Sequence, residues 1–133
     1  MRTGLTVIMV IVSLSFYSVS CSQNNQLAGK NESVINKITF DIDSLNEEGL
    51  YGPPDRLHAL DYKFCIPMED EFKNEVEKID PSIKIYPGSS SKQGCGNGEY
   101  LCIGNTHQQD FKQKLIKLAS LDYIIRIDRM VWE

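Results

Sequence analysis

The reactive side chains of this sequence are few: Cys65, Cys95 and Cys102, with His58 and His107 as the only histidines. Cys102 stands five residues before His107, and Cys95 can be matched with either histidine, so a thiolate activated by an imidazole is the sharpest enzymatic arrangement on offer. Such a nucleophile has to stay reduced. The C-x6-C spacing of Cys95 and Cys102, with His107 beyond, matches none of the compact zinc patterns, so no metal and no cofactor are expected. Asp41 and Asp43 open a D-x-D pattern, but Leu45, Asn46 and Gly52 occupy the positions where a calcium loop needs a ligand, its glycine and its closing glutamate. Gly94, Gly96 and Gly98 suggest a phosphate cradle, yet an apolar strand pattern follows them where the dinucleotide fingerprint requires a helix. No catalytic residue is therefore assigned. A binding or interaction module is the expected function, with a thiol enzyme built from Cys102 or Cys95 and His107 as a minor alternative.

The elements that must position these residues are organised around Leu60–Ile66 (LDYKFCI). Leu60, Tyr62, Phe64 and Ile66 alternate with Asp61, Lys63 and Cys65, the period of a half-buried strand. The run 99–104 (EYLCIG) repeats the pattern, with Leu101 and Ile103 expected to face the core and Tyr100 and Cys102 the other side. After the first strand, Pro67 is read as opening a helix with acidic residues in its first turn and an apolar stripe of Phe72, Val76 and Ile79, ended by Asp80-Pro81. A short strand at 83–86 follows, then a Gly- and Ser-rich connection from Pro87 to Gly98. After the second repeat strand, Thr106 and Gln109 stand in the relation of a capping box ahead of a helix marked by Phe111, Leu115 and Leu118. A last strand is expected over 123–132, and an additional one at 34–43, where Ile38, Phe40 and Ile42 alternate with polar residues. The connection 44–59, broken by Pro53 and Pro54, is expected to fold back over a sheet edge. The order strand, helix, strand, strand, helix, strand predicts an α+β fold, a ferredoxin-like α/β sandwich (βαββαβ) over residues 34–133 with one additional N-terminal strand.

In that arrangement the strands 60–66 and 99–104 are central neighbours, and the assumed alternation puts Cys65 and Cys102 on the same uncovered face. A Cys65–Cys102 disulfide is the expectation, with Cys65–Cys95 as runner-up. The uncovered face would present Tyr100, Arg126, Met130 and Trp132 to a partner.

The first 20 residues read as a signal peptide: Arg2 precedes an apolar run, Leu5–Tyr17, that ends in small residues before Cys21. Export makes disulfides available. Ser18-Val19-Ser20-Cys21 resembles the lipobox of bacterial lipoproteins, although Ser18 stands where that family usually has Leu. The resemblance implies acylation of Cys21, a polar tether over residues 21–33 and, with Ser22 following the cysteine, anchorage at the outer membrane facing the periplasm. The membrane, through the lipid, and an envelope protein or small ligand are the expected partners. Nucleic acid is not, because the chain carries a net charge of −4 and its cations are dispersed among acids. The stretch FKQKLIKLASLDYIIRID (111–128) resembles the closing unit of protease pro-domains and inhibitors with a ferredoxin-like fold, which implies inhibition of a protease as an alternative function. The central region also resembles uncharacterised exported bacterial proteins, a likeness that implies no activity.

Overall fold

The computed structural model describes residues 24–88 and 94–132, so the expected leader and Cys21 lie outside the described residues. In chain order the elements are α1 (Asn24–Ile35), a 3-10 turn (Ile42–Ser44), β1 (Leu50–Tyr51), β2 (His58–Ala59), β3 (Asp61–Pro67), α2 (Asp70–Ile79), β4 (Lys84–Pro87), β5 (Glu99–Asn105), α3 (Phe111–Ala119) and β6 (Asp128–Arg129). They make a mixed α+β molecule with two antiparallel sheets, a small β1-β2 ladder and a four-stranded sheet in the order β4-β5-β3-β6. Among the described residues no helix is long and apolar enough to cross a membrane.

The central strand behaves as its alternation requires. Leu60, Tyr62, Phe64 and Ile66 are buried, while Lys63 and Cys65 between them are only partly so. Val76 of α2 and Phe111, Leu115, Leu118 and Ala119 of α3 pack with them in one core, so both helices close over the same face of the sheet. In α2, Asp70 and Glu71 lie in the first turn and Lys78 in the last, charges placed to favour the helix dipole. The connection 44–59 supplies β1 and β2 and is held from inside by Thr106, whose hydroxyl donates to the carbonyl of Gly49 (2.6 Å) and accepts from the N–H of Leu60 (2.9 Å). Gly49 has φ of +77°, and a Cβ there would collide with the Thr106 carbonyl, so only glycine suits this docking point.

The register of β5 differs from the sequence expectation by one residue, which reverses its faces. Phe64 lies opposite Cys102 and Cys65 opposite Leu101, so Tyr100, Cys102 and Gly104 face the helices while Leu101 and Ile103 share the outer face with Cys65. Volume explains the reversal. The Tyr62 ring lies over Gly104, where any Cβ would overlap it, and Cys102 serves as a small apolar core residue beside Phe64. A core face made of Tyr, Cys and Gly carries less apolar signal than the Leu and Ile of the opposite face.

The chain ends depart in other ways. The tether expected over 21–33 contains most of α1, and no strand forms at 34–43. There the Asp41 carboxylate accepts from the Asp43 N–H (2.9 Å) and Ser44 Oγ donates to the Asp41 carbonyl (2.7 Å), turning the backbone away from an extended path. What remains of the additional strand is one parallel bridge, Ile38 to Ile127. The final strand shrinks from 123–132 to β6, because Ile124 and Ile127 turn into the core and Ile127 exchanges backbone bonds with Lys37 and Thr39. Pro67 ends β3 opposite Glu99 and does not open α2, whose N-cap is Glu69. The capping box is not formed either: Thr106 points inward and α3 starts after Asp110, a residue in the left-handed region at φ of 57°.

Candidate functional site

The partial loss of the last strand opens the site. Among the described residues, the ladder on the β6 side of β3 pairs only Tyr62 with Arg129 and Lys63 with Asp128, although β3 continues to Pro67. The Asp61 carbonyl accepts from the Met130 N–H at 2.8 Å on this side, so by alternation the backbone groups of Cys65 are directed to the same edge. Between that edge and the departing segment 123–126 lies a cleft of about 350 Å³ lined by Lys63, Cys65, Glu99, Tyr123, Ile125 and Arg126, among others.

Each wall has its own cause. Lys63 and Cys65 come from the outward positions of β3, and Glu99 from the start of β5. Arg126 is exposed and donates from Nε to Asp128 Oδ2 at 2.8 Å. Ile125 is 83% exposed, an apolar side chain at the mouth, because its neighbour Ile124 takes the buried position. Tyr123 closes the far end, with its ring 4.3 Å from that of Phe72 between centroids and its hydroxyl donating to Glu75 at 2.7 Å. Burial, then Glu75, pushes the Tyr123 phenol above its ordinary pKa, so it is a fixed donor at neutral pH.

The floor of the cleft holds a disulfide between Cys65 and Cys95, with Cα atoms 5.6 Å apart. This corrects the expected Cys65–Cys102 pairing and realises the runner-up. Cys102 is a free thiol buried on the helix side of the sheet, the opposite side from Cys65. Burial, reinforced by Glu77, pushes it up to about 12. His107 is exposed, with Nδ1 3.1 Å from the Glu48 carbonyl oxygen. The thiol and imidazole of the enzymatic reading therefore have no hydrogen bond between them, and Cys95 is spent on the disulfide. Of the four residues expected on one binding face, Arg126 lines the cleft, Tyr100 packs toward the core, and Met130 and Trp132 line a separate recess of about 240 Å³ with Tyr51 and Asp61. Trp132 is pinned there by a bond from Nε1 to Asp61 Oδ2 of 2.8 Å.

Sequence reasoning missed a buried polar network behind the sheet. Asp80, fully buried, accepts at Oδ1 from the Ser82 hydroxyl (2.6 Å) and N–H (3.0 Å), and at Oδ2 from Gln108 Nε2 (2.7 Å) and the Tyr62 hydroxyl (3.3 Å). Lys114 donates to Gln108 Oε1 at 2.7 Å. Burial alone would raise the Asp80 carboxyl, but the bonds from Ser82 and Gln108, aided by Lys114, outweigh it and hold the pKa below the ordinary value. Its sequence signal was the Asp-Pro-Ser run after α2, where an aspartate that ends a helix can also accept from the residue two further on. Through these bonds the network joins β3, the end of α2, the approach to β4 and the turn before α3.

No protein-family model matches this chain, and comparison with curated proteins and with solved structures finds no match to either.

Proposed function

We propose that this protein is a non-catalytic, exported binding module, anchored in the bacterial outer membrane by a lipid on Cys21 and presenting the cleft beside β3 to a component of the cell envelope. The fold that carries it is a ferredoxin-like α/β sandwich, a reading supported by the strand order β4-β5-β3-β6 and by two helices on one face. The observation that carries the binding reading is the cleft itself: a strand edge that, among the described residues, has no ladder partner beyond Lys63, with an exposed isoleucine, Lys63 and the Arg126–Asp128 pair beside it. An open edge can take an extended segment of a partner through backbone bonds, with Ile125, Lys63 and Arg126 selecting its side chains. The disulfide supports an oxidising address.

The test has two parts. Metabolic labelling with a fatty-acid probe is expected to mark the chain and to fail with Cys21→Ser. Amine-directed crosslinking in intact envelopes is expected to trap a partner through Lys63, which lines the same cleft, and Ile125→Asp is expected to abolish that adduct while leaving the circular dichroism unchanged. An adduct of undiminished yield from Ile125→Asp would remove the cleft from the proposal. The alternative of a protease inhibitor, for which the structure adds no specific observation, predicts stoichiometric suppression of a protease.

A further inference from the structure

Two sulfurs and a carboxylate converge at the base of the cleft. Cys65 Sγ, Cys95 Sγ and a carboxylate oxygen of Glu99 all lie within 4.8 Å of one another, although they come from the middle of β3, the loop before β5 and the first residue of β5. Tetrahedral zinc with bonds of about 2.3 Å to sulfur separates two thiolates by roughly 3.8 Å, so a cation at this point requires side-chain movement of an ångström or two. We infer that reduction of Cys65–Cys95 converts this corner into a site for a thiophilic divalent cation, zinc above all, held by Cys65, Cys95 and Glu99.

The donor set selects the ion. Two thiolates and one carboxylate suit zinc, whereas calcium and magnesium require oxygen ligands throughout. Three protein ligands leave a fourth position for water or a ligand group. Lys63 lines the same cleft as Cys65 and Glu99, a cation to set against the residual negative charge of the loaded site, while Arg126 in that wall is already paired with Asp128. Glu99 is already oriented, since its Oε2 accepts from the Gly96 N–H at 2.7 Å.

The chemistry balances with a dithiol as the reductant. One thiolate of the dithiol attacks Cys65 Sγ, which is partly exposed where Cys95 is 4% exposed, and the Cys95 sulfur leaves and takes up a proton. The second thiol of the reagent displaces Cys65, so the reagent ends as its own disulfide and the protein as two thiols. Cation binding then releases two protons, one from each cysteine. A small-molecule disulfide reverses the sequence: it accepts the two electrons and leaves as two thiols, Cys65–Cys95 re-forms and the cation is released, so the oxidation state of one bond decides whether this corner holds a metal. The inference stands apart from the proposed function, which concerns the oxidised protein.

The test uses the full chain with Cys21→Ser and Cys102→Ala, leaving Cys65 and Cys95 as its only cysteines. After reduction and removal of the reductant without oxygen, cobalt(II) is titrated in. The expected result is thiolate-to-cobalt charge-transfer absorption saturating at one ion per chain, displaced by zinc, and absent from the oxidised protein. Glu99→Gln is expected to weaken binding about tenfold or more. Circular dichroism before and after zinc covers the case in which reduction loosens the fold: zinc restoring the spectrum supports the site. Reduced protein that gives no charge-transfer band, or a cobalt affinity unchanged in Glu99→Gln, overturns the inference. Neither outcome bears on crosslinking through Lys63 in the oxidised protein.

Discussion

Asp80 accepts four hydrogen bonds through its carboxylate, and its partners are unequal. Two bonds from Ser82 and one from Gln108 measure 2.6 to 3.0 Å, whereas the Tyr62 hydroxyl stands 3.3 Å away. Hydrogen bonds to an ionised acceptor contribute about 1.5 to 3 kcal/mol, while a long one among others contributes less. Tyr62→Phe is therefore expected to cost about 0.5 to 1 kcal/mol. Asp80→Ala, which removes the bonds from Ser82 and Gln108 and leaves the buried Tyr62 hydroxyl without its acceptor, should cost about 2 to 3 kcal/mol in urea unfolding. The same carboxylate has a pH signature. Its folded pKa is held below the unfolded value, so its contribution is fully present above about pH 4 and is lost as pH falls through the folded pKa. Wild-type stability should drop across that acid window more steeply than that of Asp80→Asn, and equal slopes would show that Asp80 is not held below its ordinary pKa.

At the scale of the element, the disulfide ties the middle of β3 to the loop that leads into β5, across a separation of 30 residues. Restricting a loop of that length in the unfolded chain contributes roughly 3 to 4 kcal/mol in the chain-entropy model. The double substitution Cys65→Ala, Cys95→Ala is expected to lower unfolding stability by that amount, and non-reducing peptide mapping should recover the 65 and 95 peptides joined. A linked pair containing Cys102 would contradict the register of β5. Much of this element structure was legible in the sequence where one signal dominated. The alternation through Leu60–Ile66 and the stripe of α3 placed their buried residues, whereas of the α2 stripe Val76 is buried and Phe72 and Ile79 are half-buried against the core. The β5 register was illegible because the volume that fixes it belongs to Tyr62 on another strand, and an inward Gly104 carries no apolar signal. The shortened last strand was equally hidden, since Ile127 answers to Lys37 and Thr39, some ninety residues away in sequence. The cleft follows from those two tertiary choices, and so sequence reasoning named Arg126 but neither Ile125 nor Glu99.

On the scale of the whole molecule, the reversed β5 face turns Cys102 into a reporter on the cooperative core. The thiol lies on a strand bounded by β3 and β4, beneath the helices, so a reagent reaches it only when the core opens. Burial, then Glu77, pushes it up to about 12, compared with about 8.5 for an unperturbed cysteine. Because the folded pKa is the higher one, the unfolded chain releases the proton first as pH rises. The stabilising contribution is therefore complete below about pH 8.5 and is lost between there and about 12. Tyr62, raised first by burial and then by Asp80, adds to the loss at still higher pH. Alkaline titration of stability is thus expected to show a decline starting near pH 8.5 that is delayed in Cys102→Ala, whose remaining decline comes from tyrosines. Iodoacetamide supplies the kinetic counterpart. In native buffer the labelling of Cys102 should stay slow and rise with urea in parallel with the loss of circular dichroism, since the same opening event controls both. Labelling that is fast in native buffer and insensitive to urea would mean that the short edge strand β4 detaches by itself, and that the core beneath α2 and α3 is not one cooperative unit.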